Sequence, residues 1–313
     1  MSELTKRITI PLDGSQNALR SLDYLNFIYG PKHNLEIILI YILPQLPSFM
    51  TDKTSFDKET WIRIRGVEEK SIQMAERILE QAKNVLIEKG FPEERIKAQY
   101  KKQETGVASA ICNMAKMKQI DTLLITRRGR SNIKTFFMGG VSKQLLDSCQ
   151  VCPVWIVGSH NISKKVLIAV DSSENAMRAA DHAAFMFSDT DCSLTLFHTL
   201  RHLGRFVPLE VIEENEILEQ LWENRAGQEI APYMKRAKKI LIDSGIKEER
   251  ITVKISNGSR SAADDIFKEA QDDDYGTIVL GRRGVSALKE FFMGSVTSKI
   301  LSRSNDLAVL IVQ

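Results

Sequence analysis

Long hydrophobic runs are missing from this sequence. No segment approaches the ~18 consecutive apolar residues that a membrane-spanning helix needs. The first seven residues lead straight into a strand-like run and lack the apolar core of a secretory signal. We therefore expect a cytoplasmic protein that does not associate with membranes.

An excess of charge of one sign is missing as well. The 313 residues include 43 basic and 40 acidic side chains, which leaves a net charge of +3. This balance argues against nucleic acid or a membrane surface as the partner. The hydrophobic content of 43% and the charged content of 27% are typical of soluble globular proteins. A chain of this length is expected to form two domains.

The chain contains two copies of one pattern. Residues 6–18 match residues 164–176, and residues 127–129 and 136–139 match residues 282–284 and 291–294. The matches follow the same order along both halves, so the repeated unit is a whole domain. We predict one domain over residues 1–158 and a second over residues 164–313, joined by a short polar seam.

Each copy alternates apolar runs with helical patterns. The predicted strands are 8–12, 36–43, 96–101, 121–126 and 154–157 in the first copy, and 166–170, 193–199, 251–255, 277–280 and 308–312 in the second. The alternation predicts an α/β fold with doubly wound parallel sheets and helices on both faces. A helical stretch at 210–244 is either a partner surface or a longer crossover between strands.

Cysteine is scarce, with four residues in all. Cys149 and Cys152 have the C-x-x-C spacing of redox and zinc sites, but a second pair to complete a zinc site is missing. In the second copy the equivalent positions are Ser304 and Leu307. A structural role for the two cysteines is therefore favoured.

An aspartate follows the first strand of each copy, Asp13 in the first and Asp171 in the second. In doubly wound sheets, ligands bind outside the carboxyl ends of the strands where the strand order reverses. A carboxylate there can accept hydrogen bonds from a ribose hydroxyl or a base amino group. Alternatively, it caps the following helix.

A glycine-rich motif follows the fourth strand of the second copy. Gly281 and Gly284 are followed, after nine residues, by Gly294 and Ser295. Gly281 would let a ligand approach the backbone, and the start of the last helix would offer N–H groups and a partial positive charge to a phosphate. The two arginines between Gly281 and Gly284 either approach the phosphates or face solvent.

Together, the aspartate after the first strand and the Gly-x-x-Gly, nine residues, Gly-Ser motif resemble the universal stress protein family. The resemblance covers both halves and implies a tandem member with the strand order 3-2-1-4-5 in each domain. It also implies that ATP, with or without Mg²⁺, is the ligand. Carried over by motif, the residues that would contact adenosine, base, ribose and phosphates are Asp171, Thr199 (through its backbone), Gly281, Gly284, Gly294, Ser295 and the Val296 amide.

The first copy departs from this motif. Thr126 replaces the first glycine and Gly140 replaces the serine, whereas Asp13, Gly129 and Gly139 remain. Losing a hydroxyl-to-phosphate hydrogen bond costs ~1.5–3 kcal/mol. We therefore expect weaker nucleotide binding in the first domain, or none, and one nucleotide per chain.

The favoured function is an ATP-binding regulatory or stress-response module without assigned catalysis. The alternatives are an interaction scaffold that binds no nucleotide, and a weak ATPase or autokinase. The sequence has no paired acid and base to assign such chemistry. It also lacks the Walker Gly-Lys-Ser/Thr, His-x-Gly-His and Ser-Gly-Gly-x-Asp-Ser motifs of related nucleotide enzymes.

The fifth strands, at 154–157 and 308–312, are apolar edges that need cover. The family resemblance implies that such an edge pairs across a dimer. We therefore expect the two edges to face each other inside one chain as a pseudo-dimer. The sequence identifies no further protein partner.

Overall fold

The computed structural model describes residues 5–31, 33–52, 56–103, 106–127, 140–159, 163–208, 211–212, 216–259, 261–284 and 293–313. The chain divides into two compact units, of which the first ends at Cys152 and the second begins at Pro153. The domain boundaries inferred from the repeat fall a few residues later along the chain, and they stay a prediction.

The first unit alternates strands and helices. Its strands are β1 (Lys6–Leu12), β2 (Leu35–Leu43), β3 (Ile96–Lys102) and β4 (Thr122–Thr126). Its helices are α1 (Gln16–Tyr29), α2 (Ser48–Thr51), α3 (Lys58–Glu88), α4 (Val107–Lys118) and α5 (Gly140–Ser148). The four strands were predicted, with bounds that differ by a few residues at most.

The second unit repeats the pattern. Its strands are β5 (Val154–Val157), β6 (Lys165–Ala169), β7 (Ser193–Leu200), β8 (Ile251–Asn257), β9 (Thr277–Gly281) and β10 (Ala308–Val312). Its helices include α6 (Glu174–Phe187), α7 (Glu216–Asp243), α8 (Ala262–Asp272) and α9 (Ser295–Arg303). The predicted helical stretch at 210–244 is mostly the single long helix α7.

The strands lie side by side in the order that the doubly wound fold requires. In the first unit the order is β3-β2-β1-β4, with parallel pairs. In the second unit it is β5-β10-β9-β6-β7-β8, and β5 alone runs antiparallel, against β10. Numbered within each copy, the order is 3-2-1-4 in the first unit and 3-2-1-4-5 in the second, so the predicted α/β fold class is confirmed.

The central strands are buried on both faces. Every residue of β10 is buried, and β9 is buried up to Gly281 at its end. In the second core, Trp155 of β5 packs edge-on against Phe187 of α6, with 5.4 Å between ring centroids. With both faces covered by helices, a parallel sheet leaves its carboxyl end as the place for a ligand.

Candidate functional site

A pocket of about 770 Å³ lies at the carboxyl end of the second sheet, where β6, β7 and β9 end. Its volume is within the range of small-molecule sites. All seven residues predicted for the second copy line it: Asp171, Thr199, Gly281, Gly284, Gly294, Ser295 and Val296. The structure therefore brings together residues that are separated by more than a hundred positions in the sequence.

Asp171 orients the start of α6 without capping it. Its Oδ1 accepts hydrogen bonds from the Ser173 amide, at 3.0 Å, and from the Ser173 hydroxyl. Ser173 is the residue that caps α6, and its hydroxyl accepts from the Ala176 amide at 3.1 Å. In the first copy Asp13 holds Ser15 in the same way. The alternative of direct helix capping is therefore wrong for both aspartates.

Gly281 is also needed for packing inside the protein, whereas its predicted contact with a ligand stays a prediction. A β-carbon at this position would lie 2.9 Å from the backbone C and O atoms of Asn175, in the first turn of α6. The glycine thus allows β9 and α6 to pack closely, although its backbone also lines the pocket. At Gly284 a β-carbon would lie 2.5 Å from Asp171 Oδ2, so this glycine lets the motif approach the carboxylate in the pocket wall.

The start of α9 is fastened to the end of β9. The Gly294 amide donates to the Arg282 carbonyl oxygen at 2.9 Å, and the Thr297 hydroxyl donates to the Gly281 carbonyl oxygen at 3.0 Å. Gly294 itself is the N-cap residue of α9. The first N–H groups of the helix and its positive dipole end therefore lie at the pocket beside Ser295 and Val296, an arrangement that suits an anion.

The structure separates the two arginines of the glycine motif. Arg282 is only 3% exposed, and its guanidinium donates to the Gln313 side chain at 3.0 Å. Arg283 lines the pocket. Of the pair, Arg283 is therefore the one placed to approach a bound anion.

Thr199 lies inside β7, because that strand continues to Leu200 rather than ending before it. Its hydroxyl donates to Asp265 at 2.7 Å, and the same carboxylate accepts from the Ser259 amide at 3.0 and 3.1 Å. The hydroxyl of Thr199 is thus already bonded to a carboxylate of the protein. A backbone contact, as the family resemblance implies, agrees with this geometry.

Helix α7 forms one wall of the pocket, which the sequence motifs do not indicate. Trp222, Ala226, Glu229 and Ile230 line it, at the i, i+4, i+7, i+8 spacing of one helix face. That spacing is visible in the sequence, but only the fold shows that this face turns toward the strand ends. Phe206, 56% exposed, lies against Trp222 with 5.2 Å between ring centroids.

His198 also lines the pocket. Its Nδ1 lies 2.7 Å from the Val170 carbonyl oxygen, which can only accept, so this nitrogen carries the proton. Burial lowers the pKa of His198, against a smaller opposing effect of that hydrogen bond. The ring is therefore neutral at pH 7 and joins β6 to β7 at the floor of the pocket.

In the first copy, Asp13 is described, whereas Gly129 and Gly139 lie outside the described residues. Cys149 and Cys152 are buried and reduced. Within the described ranges, no group of three or more His, Cys, Asp or Glu side chains is arranged to hold a metal ion. The two thiols are packed in the protein interior, as the structural interpretation requires.

The model of the universal stress protein family matches the chain twice, over residues 5–158 and 163–313. The chain belongs to the universal stress protein family. Universal stress protein YxiE of Bacillus subtilis is 29% identical over 158 residues, which are 48% of this chain and 98% of YxiE. Universal stress protein MJ0577 of Methanocaldococcus jannaschii is 29% identical over 172 residues, 48% of this chain and 94% of MJ0577.

A solved structure of a universal stress protein from Archaeoglobus fulgidus has a fold similar to the whole chain. It has a TM-score of 0.64 at 18% identity and covers 99% of this chain and 98% of its own. YxiE corresponds to about half of this chain, whereas the Archaeoglobus fulgidus structure corresponds to nearly all of it. Among the helices that the structure describes, none is long and apolar enough to cross a membrane.

Proposed function

We propose that the second domain of this universal stress protein binds ATP and acts as a regulatory module without catalysis of its own. The observation that carries the proposal is the meeting of Asp171, Gly284 and the start of α9 around one pocket. A carboxylate can accept hydrogen bonds from ribose hydroxyls, and a helix N-terminus suits phosphates, so the pocket offers both ends of a nucleotide a partner.

The triphosphate would lie against Gly294, Ser295 and Val296, where backbone N–H groups stabilise negative charge without a competing carboxylate in the same turn. Arg283 lines the same pocket and adds positive charge. Mg²⁺, where present, would be bound mainly by phosphate and water oxygens, because the described part of the chain offers no ready cluster of metal-ligating side chains.

The first domain would bind nucleotide weakly or not at all. Thr126 ends β4 at the position where Gly281 ends β9. Since a β-carbon at Gly281 would approach the backbone of Asn175 in α6 to 2.9 Å, the threonine requires a different local packing in the first copy. Gly140 also stands where the second copy has Ser295. We infer that these two differences remove the phosphate-binding site from the first domain.

The two fifth strands support a second part of the proposal. β5 comes from the first copy of the repeat and β10 from the second, and they pair antiparallel from Val154–Ile311 to Ile156–Val309. We propose that this pairing replaces the edge contact between two separate single-domain proteins. The tandem chain would then be the equivalent of a dimer.

Native mass spectrometry and calorimetric titration of the full chain with ATP test the binding proposal. One bound adenine nucleotide per chain is expected. A chain that binds none after ATP is added would favour the scaffold function, and two per chain would contradict the difference between the domains. Slow release of ADP or phosphate by the loaded protein would instead support weak ATPase activity.

A further inference from the structure

The pocket has an aromatic wall in addition to the glycine cradle, the name used here for Gly281, Gly284, Gly294 and Ser295. Helix α7 contributes Trp222, Ala226, Glu229 and Ile230, and the segment after β7 contributes Phe206. Apart from Glu229 these side chains are apolar, so this part of the pocket differs in chemistry from the N–H groups of α9. A ligand that fills both parts must combine an anionic group with a flat or apolar one.

The indole of Trp222 is held in place. Its Nε1 donates to the Arg201 carbonyl oxygen at 2.6 Å, and Arg201 directly follows the last residue of β7. Phe206 packs on the same ring at an interplanar angle of 50°. An aromatic ring fixed by a hydrogen bond and a ring contact loses little conformational entropy on binding.

The order of the strands in the sheet sets the order of the chemical groups along the pocket. β6 lies between β9, which leads to the cradle, and β7, which leads to Trp222. Asp171, which follows β6, therefore lies between the anion-binding end and the aromatic wall. A molecule held from one end to the other meets an N-terminal helix dipole, then a carboxylate, then an indole.

We propose that Trp222 determines specificity at the nucleoside end of the pocket, with its indole forming the wall on which a purine base packs. The proposal rests on the proposed ATP site and adds to it a residue of this chain. The order of chemical groups in a nucleoside triphosphate, phosphate then ribose then base, matches the order of cradle, Asp171 and Trp222. A purine offers a larger flat face than a pyrimidine, so the wall favours ATP and GTP over CTP and UTP.

Replacing the indole tests the wall directly. Trp222→Ala should weaken ATP binding roughly ten- to hundredfold, the scale of losing one base–aromatic stack. It should leave the affinity for inorganic tripolyphosphate, which has no base, unchanged. Trp222→Phe loses the hydrogen bond to Arg201 but keeps an aromatic face. Because the face is what contacts the base, this variant should keep most of the ATP affinity and the preference for purines.

Both affinities are measured by calorimetry on the full chain, with circular dichroism to verify that each variant is folded. Equal ATP affinity in the wild type and Trp222→Ala would overturn the aromatic wall and leave the ATP site intact. Equal weakening by Trp222→Phe and Trp222→Ala would also overturn it, because the hydrogen bond rather than the ring would then matter. A wild type that binds neither ATP nor tripolyphosphate would overturn the site and the wall together.

Intrinsic fluorescence gives an independent measurement. The chain has three tryptophans, and of these Trp155 is fully buried in the second core. ATP should change the emission of the wild type and leave that of Trp222→Phe unchanged. A signal that persists in Trp222→Phe would come from Trp61 or Trp155, and it would contradict contact between base and indole.

Discussion

Gly284 packs against the carboxylate of Asp171 so closely that a β-carbon on the glycine would lie 2.5 Å from Asp171 Oδ2. The other oxygen of that carboxylate is held by the amide and the hydroxyl of Ser173. Asp171 and Gly284 therefore depend on each other, because any larger side chain at residue 284 would displace the Asp171 carboxylate.

Gly284→Ala should displace the Asp171 carboxylate and break its hydrogen bonds to Ser173. The displaced carboxylate would lose its proposed hydrogen bond to the ribose, and since a hydrogen bond to a charged group contributes ~1.5–3 kcal/mol, the ATP affinity should fall roughly ten- to hundredfold. Calorimetric titration measures the change. Gly227→Ala is the matched control, since a β-carbon there meets nothing within 4 Å; an equal loss in the control would contradict the explanation.

Gly294→Val should abolish ATP binding. A β-carbon at Gly294 already lies 3.3 Å from the Arg282 carbonyl oxygen, and the branched side chain of valine would crowd the start of α9 where the phosphates are proposed to bind. The corresponding change in the first copy, Gly139→Val, should have little effect. Nucleotide stoichiometry by native mass spectrometry distinguishes the two variants, and equal loss from both would overturn the difference between the domains.

His182 should make the second unit sensitive to acid. Burial lowers its pKa from 6.5 to about 4, so the unfolded chain binds the proton more readily. The contribution of neutral His182 to the free energy of unfolding is therefore fully present above pH ~6.5. It falls by up to about 3 kcal/mol as the pH drops to ~4, and below that pH the loss levels off. His182→Gln removes this titration. Urea unfolding of both proteins at several pH values should give a shallower fall for the variant, and parallel curves would exclude the role of His182.

The buried thiols should be unreactive in the native protein. A hydrogen bond with Cys149, followed by burial, raises the pKa values of Cys112 and Cys152, and burial raises the pKa of Cys192. Since the thiolate is the nucleophile, labelling with a disulfide reagent at pH 7.5 should be slow until urea is added, when all four cysteines react. Rapid labelling of Cys149 or Cys152 in the folded protein would instead support a redox function for the C-x-x-C motif.

Most of the fold follows from local pattern. Short apolar runs such as the one ending at Leu12, alternating with helical patterns, favour buried strands, and the repeat of that pattern at β6 predicts the second sheet. The predicted site residues of the second copy come together because parallel strands bring their carboxyl ends to one edge.

Contacts between distant segments were harder to predict. The role of Gly281 depends on how closely α6 approaches β9, and the involvement of Trp222 depends on which way α7 turns over the sheet. The spacing of residues along one helix gives its apolar face but not the neighbour of that face. Strand ends are similarly hard to predict: the second strand of the second copy was expected to end at Thr199, whereas β7 continues to Leu200.

The hydrogen bond from Thr297 to the Gly281 carbonyl oxygen joins the last helix to the strand before it. An anion held by the start of α9 would therefore add its binding free energy to the folded state alone. At a ligand concentration a hundredfold above its dissociation constant, this linkage amounts to ~2.7 kcal/mol. If that anion is ATP, as proposed, the fraction of folded protein would then follow the ATP concentration.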